Sequence, residues 1–176
     1  MSRLLMVAFA ALCALDAAAQ TGQQLPANPL STWLRDAFTR NSNTILRTAE
    51  KMPEENYGLR PGPQMEVRTF GQQVGHLANY NYLWCSQSKG EKNPNAGNDL
   101  AKLSTKAEFI KALTDASGAE MIDITQENGR TTRNLRMALL ILNYGHNNEI
   151  YGSMVSYLRM KSIVPPASEP RPAQKQ

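Results

Sequence analysis

The side chains that could do chemistry in this sequence are few. Two histidines, His76 and His146, and two cysteines, Cys13 and Cys85, occur in 176 residues. Neutral imidazole is the commonest metal ligand, so the two histidines could begin a metal site, with Zn²⁺ or Ni²⁺ the ions that suit such donors. Two ligands do not complete one, because a catalytic zinc site usually has three protein ligands and a water. Glu149 stands three residues beyond His146 and could swing a carboxylate inward as a third ligand. The plainer readings are hydrogen-bonded core histidines and a solvated or supporting carboxylate, since an inward carboxylate would need pairing. Asn41, Asn143, Asn147 and Tyr80 are weaker candidates, because amide and phenol oxygens are poor zinc ligands.

Helices must position these groups. Leu34, Phe38, Ile45, Thr48 and Met52 fall on one helical face, with Asn41 inside the stripe; Ser31 is the expected N-cap and Pro53 the stop. Thr69 and Gln72 have capping-box spacing and open a second helix lined by Val74, Leu77, Tyr80 and Trp84, with His76 beside Leu77. Thr105 and Glu108 repeat that spacing before Phe109, Leu113 and Ala116, a stripe that Met121, Ile122 and Ile124 prolong. The fourth helix is expected from about Thr132 to Lys161, facing inward through Leu135, Leu139, Leu142, His146, Glu149/Ile150, Ser153 and Tyr157. No alternating strand pattern appears, so the fold class is all-α, a four-helix bundle.

Composition narrows the function. Hydrophobic residues make up 41% and charged residues 19%, enough for one domain with a core. Lys and Arg exceed Asp and Glu by 19 to 15, but the excess is scattered, so no nucleic-acid partner is expected. Arg3, the apolar run Leu4 to Leu15 and Ala17-Ala18-Ala19 before Gln20 have the layout of a cleavable signal peptide. A run this short does not span a bilayer, so stable membrane insertion is not expected; the protein should be periplasmic or secreted. Cleavage would leave Cys85 as the single thiol, expected to be buried on a helix face. The organisation is then signal peptide 1–19, linker 20–29, bundle 30–164 and a disordered tail 165–176.

Residues 69–85 read TFGQQVGHLANYNYLWC, residues 52–61 read MPEENYGLRP, and residues 146–168 carry H-x-x-E-x-Y-G, Y-L-R and V-P-P. Together these resemble the DinB-like superfamily of bacterial four-helix proteins, over roughly residues 30–168. The resemblance implies a bundle, often a homodimer, with a metal held by three histidines. One comes from the second helix and two from an H-x-x-x-H pair on the last. Some relatives are metal-dependent thiol transferases or isomerases using a low-molecular-weight thiol. His76 and His146 match the first two ligand positions, and the third is Ile150, which cannot donate an electron pair. Two readings follow. One is a degenerate bundle that binds a small molecule or a partner, with no cofactor. The other is a divalent-metal enzyme using His76 and His146. Tyr80, Tyr82, Trp84, Tyr144, Tyr151 and Tyr157 could line a pocket between the second and last helices, or simply pack the core and a dimer interface.

Overall fold

The computed structural model describes residues 29–117 and 130–170, and its architecture is the expected four-helix bundle. The helices are α1 (Pro29–Lys51), α2 (Phe70–Lys89), α3 (Lys106–Ser117) and α4 (Arg130–Met160). The segments expected to be a signal peptide and, for the most part, a linker, together with the stretch around Met121 to Ile124 and residues 171–176, lie outside the described residues. α2 packs against α3 and α4, and α1 against the same two, so α1 and α2 sit diagonally across the bundle. The core between them joins Ile45, Met52, Tyr57, Phe70, Val74, Leu77, Phe109, Leu113, Met154 and Leu158.

Local rules explain the helix ends. Thr69 Oγ1 accepts from Gln72 N–H, and the Gln72 side chain accepts from Thr69 N–H, closing the capping box of α2. Thr105 and Glu108 do the same for α3. Lys106 Nζ donates to the Glu50 and Met52 carbonyls at 2.7 and 2.9 Å, so the start of α3 holds the unpaired end of α1. α1 begins at Pro29, so Ser31 lies inside the helix and is not its cap. Proline is tolerated in a first helical turn because its missing N–H would be unpaired there anyway.

Two expectations need correction. The inward face of α4 is rotated from the leucine stripe: Leu135 and Leu142 are 62% and 53% exposed, and Asn143, Asn147, Ile150, Met154, Tyr157 and Leu158 are buried. Two asparagines occupy core positions, so a reading that follows apolar residues alone misplaces that face. The tail is also ordered through Pro170. Pro165 and Pro166 are buried, Pro166–Ser168 forms a 3₁₀ turn, and Glu169 is ion-paired to Arg47 and Lys51 of α1.

Candidate functional site

α2 and α4 bring the two histidines together. Their Nε2 atoms are 3.1 Å apart, within hydrogen-bond distance, and the ring centroids are 5.0 Å apart. Both rings are half-buried at the seam between the helices. Tyr80 and Trp84, one and two turns beyond His76, pack on His146 with centroids at 4.8 and 5.1 Å, and Tyr80 also meets His76 edge-on at 4.6 Å. These aromatics, two of those expected between α2 and α4, hold the imidazole of His146 in place.

The position of His76 depends on its neighbour. A Cβ on Gly75 would stand 2.2 Å from the Leu100 carbonyl oxygen, so only glycine lets the 3₁₀ turn Leu100–Lys102 lie against α2. Asn79 fastens the same loop: its Oδ1 accepts from Leu100 N–H at 3.2 Å and its Nδ2 donates to Asp99 at 3.1 Å.

Burial is the main force on both imidazoles. It pushes His76 from 6.5 down to about 4, assisted by the positive Arg68 and by His146, against a smaller upward pull from Asp99. His146 is also pushed down, by burial first and Arg68 second, with Glu149 opposing. The pair is therefore neutral at pH 7, and one ring donates an Nε2–H to the other. His146 Nδ1 is buried and has no partner. An unpaired lone pair is tolerated in a buried site more readily than an unpaired N–H. This assigns the His146 proton to Nε2, donating to His76 Nε2, and the His76 proton to Nδ1.

Behind the histidines runs a polar layer that the sequence pattern does not single out. Asn147 Nδ2 donates to Asn81 Oδ1 at 3.0 Å, with both side chains buried. Asn143 Nδ2 lies 3.7 Å from Cys85 Sγ. Cys85 is buried as expected, and burial raises its pKa, which keeps the thiol protonated and unreactive. Gln73 Nε2 donates to Ser153 Oγ at 3.2 Å. Asn81 sits on α2 one turn before Cys85, amid apolar positions, and only its α4 partner reveals its role.

The family model described as DinB superfamily matches residues 37–144, more than half of the chain. The chain belongs to the DinB superfamily. No curated protein and no solved structure matches it. The matched range takes in His76 and stops just before His146, so the alignment of His146 and Ile150 with the last-helix ligand pair rests on the motif itself.

The three-histidine metal centre that the DinB resemblance implies does not fit these residues. Ile150, at the third position and on the same helical face as His146, is buried in the core cluster. Glu149 lies on the exposed side of α4, and among the described residues no three His, Cys, Asp or Glu side chains come together as a metal site. A histidine that binds metal through one nitrogen normally donates its other N–H to an acceptor. His146 Nδ1 has none.

Proposed function

We propose that this DinB-superfamily protein is an exported bundle that works by binding a small molecule or a partner, with no resident metal. The observation that carries the reading is the hydrogen-bonded His76–His146 pair: each imidazole spends its Nε2 on the other, and the place of a third ligand holds an aliphatic side chain. In this reading the pair is a structural clasp between α2 and α4, roofed by Tyr80 and Trp84. Export rests on the Arg3, Leu4–Leu15 and Ala17–Ala19 pattern. A homodimer is part of the same proposal, supported by exposed Leu135 and Leu142, seven residues apart on one face of α4.

A second reading has one observation in its favour. Two neutral imidazole nitrogens 3.1 Å apart could both reach a divalent ion. That would make the chain a metal-dependent enzyme of the thiol-transferase or isomerase type, with His76 and His146 as ligands.

Melting curves of untagged protein with and without a strong chelator, alongside elemental analysis, separate the two. The binding reading expects sub-stoichiometric metal and an unchanged melting temperature on chelation. Stoichiometric metal that disappears in His76→Ala would establish the enzyme reading instead. Mass spectrometry of the protein from the periplasmic fraction tests export, with a mature N-terminus at Gln20 as the expected result.

A further inference from the structure

The C-terminal turn is held to the bundle by two different kinds of contact. At the end of α4, Ser162 takes a left-handed φ of 58° and the Ile163 N–H returns to the Leu158 carbonyl at 2.9 Å, so the chain reverses and crosses toward α1. Ile163 packs against the core and Pro165 and Pro166 are buried, so apolar burial fixes this stem. Beyond Pro166 the character changes. Ala167, Ser168 and Pro170 are exposed, and the side-chain contacts are polar. Ser168 Oγ accepts from Arg159 at 3.1 Å, and Glu169 pairs with Arg47 and Lys51 of α1.

Arg47 and Lys51 stand four residues apart on α1, so their charges share one face and repel. Glu169 reaches between them and gives one carboxylate oxygen to each. The Arg47, Lys51 and Glu169 side chains are 57%, 32% and 34% exposed, so water and salt compete for both pairs. The turn also meets a cavity. An open space of about 230 Å³ lies between α1 and α4, lined on α1 by residues from Ala37 to Thr44 and on the turn by Ala167. The lining of α1 ends at Thr44 and the ion pairs begin at Arg47, so the turn crosses the Thr44 end of the cavity.

We propose that residues 167–170 form a strap, hinged after the buried Pro166 and latched by Glu169, that gates the α1–α4 cavity. Opening leaves the bundle intact. It breaks the two ion pairs, the Ser168 contact and the short 3₁₀ turn, in which the Ser168 and Glu169 N–H groups donate to the Pro165 and Pro166 carbonyls at 2.9 and 3.3 Å. A short exposed segment held this way opens locally, well below the free energy of global unfolding. Ionic strength, or an anion that takes over the Arg47 and Lys51 charges, then sets access to the cavity. The inference goes beyond the binding reading and does not rest on it, since it concerns access whatever the guest.

The test is amide hydrogen exchange of the untagged full chain, followed by NMR at about 50 mM and about 500 mM NaCl. The amides of residues 168 and 169 should exchange well before those of Met154 and Leu158 in α4, and about 2–5-fold faster at the higher salt. Glu169→Gln should speed the Ser168 amide about 5-fold at low salt and remove most of the salt effect. The Arg47→Gln, Lys51→Gln double variant reaches the same latch from α1 and should do the same. Gating is read by the rate at which a bulky maleimide modifies Thr44→Cys, with the parent as control because Cys85 is buried. Adding Glu169→Gln should raise that rate about 5-fold. Exchange of residues 168 and 169 only together with the α4 core, or rates that neither salt nor either set of variants moves, would overturn the latch. Faster exchange with unchanged modification of Thr44→Cys would overturn the gate.

Discussion

Installing the missing donor at position 150 tests the geometry of the histidine pair. In the metal-free state Ile150→His should be costly. Ile150 is 8% exposed and belongs to the main core cluster. Loss of its apolar burial costs about 1.5–3 kcal/mol, and an ill-matched imidazole in its place adds about 1 kcal/mol of unpaired polar surface. The expected destabilisation is therefore about 2–4 kcal/mol. Zinc should then return stability to the variant and not to the parent. If the new imidazole joins His76 and His146, saturating zinc at ~1,000 times Kd stabilises the fold by about 4 kcal/mol. The affinity should still fall about 10–100-fold short of a well-supported site, because His146 Nδ1 has no acceptor to orient the ring. The assay is urea unfolding of parent and variant with and without zinc, at fixed pH. A folded variant that zinc leaves unchanged would refute the placement of position 150 beside the pair. Equal stabilisation of parent and variant would refute the claim that the parent's donor set is incomplete.

Further expectations concern stability. His76 is depressed from 6.5 to about 4 and His146 is depressed in the same direction, so below pH 6.5 the unfolded chain takes up protons that the folded chain refuses. Stability from His76 is thus present above 6.5 and lost as pH falls toward 4. The loss should be about 1–2 kcal/mol after allowance for solvent screening at a half-exposed ring. Unfolding measured from pH 7 to pH 4 should show this slope, and His76→Gln should flatten it. Asn147→Ala leaves Asn81 Oδ1 buried without its donor and should cost about 2–3 kcal/mol, while the Asn81→Leu, Asn147→Leu double variant should cost less than the sum of its single changes. Denaturant midpoints for the four species of that cycle provide the check. Gly75→Ala drives a methyl into the Leu100 carbonyl and should lower stability by about 3 kcal/mol, read as a fall in melting temperature; a neutral result would mean that the Leu100 turn does not rest on α2.

Much of the bundle is legible because its signals are local. The boxes Thr69/Gln72 and Thr105/Glu108 each close within one helical turn, so spacing alone locates the starts of α2 and α3. The inward face of α1 is equally readable, since Leu34, Phe38, Ile45 and Thr48 are all buried, as is Met52 just past its end. The rest depends on partners distant in the chain. Asn81 and Asn147 are buried together because the Asn147 amide donates to Asn81 Oδ1, so α4 turns toward its asparagines and leaves Leu135 and Leu142 outside. The polar, proline-containing tail reads as disordered until Arg47 and Lys51 supply the charges that hold Glu169. The meeting of His76 with His146 came from the family motif, and spacing along either helix does not contain it.

The most direct measurement is the protonation of the two imidazoles, read by long-range ¹H–¹⁵N correlation of the ring nitrogens at pH 7. His146 should be a neutral Nε2–H tautomer donating to an unprotonated His76 Nε2, with His76 protonated at Nδ1, and added zinc should leave the pattern unchanged. A His146 ring protonated at Nδ1, with both Nε2 signals moving together as zinc is added, would contradict a hydrogen-bonded clasp and restore the pair as metal ligands.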